Sequence, residues 1–284
     1  MPAAARPRRS VLYMPGSNAR ALEKGKTLPA DVLILDLEDA VAPDSKAMAR
    51  GQIADTVRQG GYGGREILVR VNGPDTDWGN DDIIAIATCG ADAILLPKVE
   101  NAATVKRIDE WMRDLGAPNE MALWCMIETP LGVLNVAEIA GATERLGGFV
   151  MGTSDLAKDL HASHTPMRLP MVTALGLCML AGRAHGLAMI DGVHLDLEDD
   201  AGFADACRQG LEFGFDGKSL IHPKQIARAN EVFAPSAGEI DNARRIIDAH
   251  RAAVAEGQGV VVVDGRLVEN LHVENALRIV ALAN

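Results

Sequence analysis

Polar residues recur where short apolar runs of this chain give way to loops, and these are the groups best suited to chemistry. They are Glu38 and Asp39, Arg70 and Asn72, Lys98, Glu128, Asp155, Asp191 and Lys218. Glu128 ends the run "ALWCMIE" just before Thr129-Pro130, and Asp155 follows the next run in "GGFVMGTSD". Two carboxylates brought close without a cation repel, and one of them is driven toward its protonated form. A hard divalent ion removes that conflict, and Mg2+ typically takes one or two carboxylates and fills its other positions with water or substrate oxygens. The same acids also suit helix starts, since Thr153, Ser154 and Asp155 in "GTSDLAKDL" are good first-turn residues.

Arg70 sits between valines in "ILVRVN", where a charge is seldom buried unless paired. Glu38 and Asp39, at the end of the neighbouring run, are ready partners. Two roles are open: a structural ion pair at the rim, or carboxylates that orient a guanidinium to hold a substrate oxyanion. The histidines offer less. His161 and His164 in "DLHASHTP" lack a third ligand for zinc, and His222 in "LIHPKQI" reads as a loop-orienting residue. No GxSxG elbow or P-loop occurs, which disfavours acyl-serine hydrolysis and nucleotide phosphoryl transfer.

The elements that must position these groups are legible from periodicity. Apolar runs at 10–16, 31–39, 66–72, 93–100, 122–128, 147–155, 187–193 and 215–223 read as strands buried on both faces. Amphipathic segments lie between them, as in "NAATVKRIDEWMRDLG" at 101–116. Strands alternating with helices in this way predict an α/β fold, a TIM (β/α)8 barrel, over residues 1–234. A doubly wound open sheet would show a Gly-rich turn after its first strand, and "YMPGSNAR" has no GxGxxG. Residues 235–284 exceed what a barrel needs. A break at Pro235-Ser236, a valine strand, an Asp-Gly turn and a last helix predict a small C-terminal helical extension or lid.

Composition narrows the partners. The 284 residues are 48% hydrophobic and carry a net charge of -11, so no nucleic acid is expected as a partner, because phosphate binding needs clustered Lys and Arg. "ARPRRS" is too short for a basic arm and has no apolar stretch behind it for a secretory signal. The later apolar runs are too short to span a membrane. Cys89, Cys125, Cys178 and Cys207 show no CxxC spacing and read as reduced core thiols, which predicts a cytoplasmic protein.

Taken in order, "VLYMPGSN", "LILDLEDAVAPDSK", "VRVNG", "LLPKVE", "MIETPLG", "GTSDLAKDL", "IDGVHLDLEDDAGF" and "GFDGKSLIHPKQI" resemble the citrate lyase β-subunit-like family. That family includes malyl-CoA and citramalyl-CoA lyases and lies within the HpcH/HpaI aldolase superfamily; the resemblance runs from about Val11 to about Leu282. It implies a Mg2+-dependent lyase that cleaves or forms a C–C bond beside a CoA thioester, such as malyl-CoA or citramalyl-CoA, giving an acyl-CoA and a 2-oxo acid. By motif, Glu128 and Asp155 match the family's metal ligands, with Glu128 also at the substrate. Arg70 matches its substrate-binding arginine, Glu38 and Asp39 its acidic pair, and "MPGSNARALEKG" (14–25) its CoA-binding region.

Related lyases with a C-terminal lid carry an aspartate in "MID" that acts as acid or base over a neighbouring subunit's site. Here Glu269 in "GRLVEN" stands in that place, adding a methylene of reach. A lid working in trans implies a homo-oligomer, a trimer or hexamer. Two other enzymes are alternatives: the β subunit of a citrate lyase complex acting on a citryl-acyl carrier protein thioester, and a CoA-independent 2-oxo acid aldolase. The C-terminal extension is expected to favour a stand-alone enzyme over the complex subunit.

Overall fold

The computed structural model describes residues 6–255, 257 and 260–283; residues 1–5 of the expected barrel domain, residues 256, 258 and 259 ahead of the expected valine strand and residue 284 lie outside the described residues. The chain divides into two compact units, one over Arg8–Val232 and one running from Phe233.

In the first unit each of the eight apolar runs supplies one strand: β1 Ser10–Pro15, β2 Val32–Asp36, β3 Glu66–Arg70, β4 Ala93–Leu96, β5 Ala122–Ile127, β6 Leu146–Met151, β7 Ala188–Asp191 and β8 Gly217–Leu220. They form a closed parallel barrel in sequence order, a TIM barrel, and β8 closes onto β1 through Ser10↔Lys218, Val11↔Ser219 and Leu12↔Leu220. Val32, Ile34, Leu68, Ala93, Leu95, Trp124, Met126, Val150, Ala188 and Ile190 belong to one buried cluster inside it. Because side chains alternate along a strand, the intervening residues face the surrounding helices.

Those helices follow from pattern and caps. Ala102–Asp114 buries Val105, Ile108 and Met112 at helical spacing, and the Asn101 side chain caps it by accepting from the Thr104 N–H. The amino-terminal end of the barrel is filled by an ion pair. Arg8 Nη2 donates to Glu66 Oε1 at 2.9 Å, and the guanidinium lies 5.4 Å from the centre of the Trp124 ring. Gly148 makes room for that ring, since a Cβ there would stand 2.6 Å from Trp124 and 2.7 Å from the Ala188 carbonyl oxygen.

The second unit contains the helix Ala237–Ala255, an antiparallel hairpin of β9 Val261–Val263 and β10 Arg266–Val268, and the helix Asn270–Leu282. Its turn, Asp264-Gly265, has φ of 49° and 77°, the backbone of a two-residue type I′ hairpin. All four cysteines are unpaired and buried, and among the described residues no helix is long and apolar enough to cross a membrane.

Two glycines test the packing at opposite signs. Gly148→Ala is expected to destabilise the barrel by about 1–3 kcal/mol through overpacking. Gly51→Ala, within the helix Lys46–Gln59 where nothing lies within 4 Å, should stabilise it by about 0.5–1 kcal/mol. Thermal or urea unfolding of both variants checks the pair.

Candidate active site at the barrel mouth

Arg70 is the last residue of β3 and points into the barrel, where it is 7% exposed. Its register partner on β2 is Asp36, and the two meet fork to fork: Nε donates to Asp36 Oδ1 at 2.7 Å and Nη2 to Oδ2 at 2.6 Å. Asp36 also accepts the N–H groups of Glu38 and Ala40, so the same carboxylate shapes the loop after β2. The remaining guanidinium edge, Nη1, faces Glu38 Oε2 at 2.8 Å and the Met126 sulfur at 3.8 Å. The Tyr13 ring lies under it, 4.9 Å away.

The expected partners are therefore only partly the observed ones. Asp39 is exposed, with its carboxylate 3.6 Å from Nη1, and the principal partner is Asp36, which lies inside an apolar run of the sequence. An acid three residues before the strand's visible acidic end was the available signal, since period-2 alternation puts Asp36 on the same inner face as Ile34. Burial drives Arg70 toward losing its charge, but the Asp36 bonds, with Tyr13 and Glu38, hold its pKa well above the usual arginine value. The Glu38 carboxyl is shifted upward by burial, against the pull of Arg70 and Lys98.

Glu128 immediately follows β5 and is 2% exposed. Gly152, where β6 ends, makes its position available: a Cβ on Gly152 would fall 2.3 Å from both Cβ and Oε2 of Glu128. Burial, with Glu38 adding and Lys98 opposing, pushes the Glu128 carboxyl from 4.5 up to about 7. Asp155 lies in the first turn of the helix Thr153–Asp159, which has no side-chain cap, so its carboxylate is not spent on the helix end. Instead it meets Lys98 Nζ at 3.1 Å.

Lys98 links the acids. Its backbone N–H donates to Glu128 Oε1 at 2.8 Å, and its ammonium lies 2.8 Å from Glu38 Oε1. It does so from a left-handed backbone, φ 50°, which a side-chain-bearing residue adopts only at a cost. Arg70, Glu128 and Asp155 share a cavity of about 360 Å³ with Tyr13 and Ser219, a volume within the range of ligand pockets, about 300–1,000 Å³. The Ser154 hydroxyl is buried beside it with no hydrogen-bond partner. A larger hollow of about 710 Å³ in the second unit has Asp264 as its only acid.

Other polar strand ends do different work. Asp191 and Lys218 point away from the barrel interior, because Ile190 and Ser219 take the inner face. There Lys218 Nζ meets Asp191 at 2.8 Å and Arg168 Nη1 meets it at 2.6 Å, a buried structural cluster. Asn72 braces the loop after β3 through Asp82 and the Leu37 carbonyl. His222 caps the turn at Pro223–Gln225 with Nδ1 accepting from Lys224, and His161 and His164 are exposed. Glu269 belongs to the second unit, where it stands at the N-cap of the helix Asn270–Leu282, its N–H donating to His272 Nδ1 and its carbonyl accepting from the His272 N–H. Within 14–25, Arg20 and Lys24 are exposed on the helix Ala19–Gly25.

Among the described residues no three His, Cys, Asp or Glu side chains converge as a ready-made metal cage. Outside the acids paired with Arg70, the donors at the mouth are the Glu128 and Asp155 carboxylates and the Ser154 hydroxyl, all hard oxygens, a set that fits a cation completing its shell with water and ligand oxygens rather than a thiophilic one.

The family model HpcH/HpaI aldolase/citrate lyase matches residues 9–223, all eight strands and the whole mouth. The chain belongs to this family. A (3S)-malyl-CoA thioesterase of Cereibacter sphaeroides is 52% identical over 98% of this chain and 95% of its own length. A citrate lyase subunit beta of Escherichia coli is 37% identical over 98% of this chain and 94% of its own. The crystal structure of CitE from Mycobacterium tuberculosis in complex with magnesium, acetoacetate and coenzyme A superposes with a TM-score of 0.75 at 30% identity, covering 99% of this chain and 98% of that one. Contrary to the expectation from sequence, the C-terminal extension does not set this chain apart from a citrate lyase subunit, because the E. coli subunit matches along nearly the whole chain.

Glu128 gives a stability prediction with a definite sign. Its folded pKa lies above its unfolded one, so the folded state binds the extra proton between about 4.5 and 7, and stability falls as pH rises through that window. Glu128→Gln keeps the oxygen that accepts the Lys98 N–H and removes the buried charge. In metal-free buffer at about pH 8 it should raise stability by up to about 3 kcal/mol, and the gain should vanish below about pH 4.5. Thermal unfolding across pH with a chelator present checks this.

Proposed function

We propose that the protein is a Mg2+-dependent carbon–carbon lyase acting on a 3-hydroxyacyl-CoA thioester of the malyl-CoA or citramalyl-CoA kind. The observation that carries this is the placement of Arg70 opposite Glu128 and Asp155 in one mouth cavity, its third edge shared between Glu38 and the Met126 sulfur. Magnesium and coenzyme A in the related CitE complex support the cofactor and the thioester class. Glu128 and Asp155 would hold the ion, which when bound supplies Lewis-acid polarisation of the oxygens of the 2-oxo acid portion.

The chain's own groups account for the rest. Asp36 holds Nε and Nη2 of Arg70, so the guanidinium is fixed in orientation before substrate arrives. Nη1 sits between the Glu38 carboxylate at 2.8 Å and the Met126 sulfur at 3.8 Å, where a substrate oxyanion in the cavity would compete with Glu38 for it. In the cleavage direction the 3-hydroxyl gives up its proton and the C2–C3 bond breaks. A 2-oxo acid leaves, and the thioester enolate takes a proton at C2. Arg70 stabilises the negative charge that develops, and Glu38 and Asp39 keep the guanidinium and its surroundings polarised toward the mouth. Glu269 is the lid acid that moves the proton, in a homo-oligomer, a trimer or hexamer, where a lid from one copy serves the site of another.

A second activity at the same site is favoured by one observation, the 52% identity to a (3S)-malyl-CoA thioesterase over nearly the whole chain. There water attacks the thioester carbonyl, and malate and free CoA result. Purified protein with malyl-CoA and Mg2+ separates the two. Glyoxylate and acetyl-CoA in equal amounts without free thiol are expected. Malate with stoichiometric thiol would replace the lyase by the hydrolase, and neither set of products would dispose of both.

Arg70→Ala should lower kcat by about 100- to 1,000-fold, the usual loss for one donor to developing charge. Glu269→Gln should lower kcat by about 100-fold or more with little change in KM, as removal of a general acid or base does. Steady-state kinetics on the same substrate test both, and chelation followed by added Mg2+ should abolish and then restore turnover.

A further inference from the structure

Five carboxylates gather at the mouth, on Asp36, Glu38, Asp39, Glu128 and Asp155, and two cations answer them, Arg70 and Lys98. Arg70 is committed to the acids after β2. Lys98 alone reaches both sides: its ammonium lies 2.8 Å from Glu38 and 3.1 Å from Asp155, while its N–H holds Glu128 at 2.8 Å. Both arms leave a residue whose backbone is left-handed, φ 50°. A surface lysine with no role has no reason to keep that backbone, since an ordinary conformation would leave it solvated and unstrained.

We propose that Lys98 is a resident counter-ion for the acid cluster: it holds the carboxylates together in the unloaded protein and must yield Asp155 when a divalent cation binds. This rests on Glu128 and Asp155 being the cation's ligands. Two consequences of opposite sign follow from one charge. The ammonium screens the repulsion between Glu38, Glu128 and Asp155, so it stabilises the unloaded fold. Its charge also repels an incoming cation, so it weakens cation binding and keeps the site exchangeable. Lys98 is thus a positioning residue whose charge tunes the cation's affinity. A purely structural contact would lower stability and cation affinity together, whereas the counter-ion moves them apart.

Calorimetric Mg2+ titration of the full chain, paired with thermal unfolding in chelator and in excess Mg2+, tests this without any turnover measurement. Lys98→Met should bind Mg2+ about tenfold tighter, a modest share of what a unit charge a few ångströms away exerts. The same variant should unfold at a lower temperature in chelator and show a larger Mg2+-induced rise. Lys98→Gly, which adopts the left-handed backbone freely, should match it in affinity and replaces it if the Met variant does not fold. Lys98→Arg, which keeps the charge, should stay near wild type. Wild-type or weaker affinity in the Met and Gly variants, with binding abolished in Glu128→Gln, would overturn the counter-ion while leaving the ligand assignment intact. Binding that is absent from the wild type or unaffected by Glu128→Gln removes the ligand assignment and the counter-ion with it.

Discussion

A guanidinium buried at the top of a parallel barrel cannot stand alone, and the fork between Arg70 and Asp36 is the constraint on which the mouth is built. An unpaired charge at that depth costs several kcal/mol, so the strand register that sets Asp36 beside Arg70 is enforced by electrostatics as well as by ladder hydrogen bonds. Once Asp36 has taken two edges, only one remains for anything else. That third edge faces the cavity, and its neighbours are the Glu38 carboxylate at 2.8 Å, the Tyr13 ring and the Met126 sulfur. Held by carboxylates on each of its edges, the guanidinium keeps its orientation, which is the condition for a binding group that does not reorganise when its ligand arrives.

The barrel carries two buried arginine–carboxylate pairs inside it, at opposite ends, and their surroundings separate structure from function. At the amino-terminal end Arg8 and Glu66 close the floor beneath Trp124. At the carboxyl-terminal end the acids outnumber the cations, and burial lifts the Glu128 carboxyl to about 7. Such a surplus of negative charge destabilises the unloaded fold, and structures retain it where a site needs it. The Asp191–Lys218–Arg168 cluster shows the alternative outcome. There cations and carboxylate meet outside the barrel interior, away from the cavity.

Close approach at the mouth depends on residues without side chains as much as on those with them. Gly152 lets β6 pass within touching distance of Glu128, and the same strand then delivers Asp155 one turn into the next helix. Both acids therefore owe their positions to the β6 end, although one belongs to β5. The proposed chemistry, the cleavage of a 3-hydroxyacyl thioester, draws on that joint placement.

The sequence by itself determined the barrel, because unbroken apolar runs must be covered on both faces and alternating amphipathic helices are what cover them. It also determined which strand ends carry charge, and so located Arg70, Glu128 and Asp155. Side-chain direction was another matter. Asp36 hid in an apolar run, and Asp191 and Lys218, each at or near a strand end, turned out to face the helices, since a shift of one residue along a strand reverses the face. Lys98 was visible as a charge but not as a bridge. Its left-handed backbone and its reach to three loops exist only once the strands have closed in register, because contacts between residues far apart in the chain are fixed by barrel closure and not by local preference.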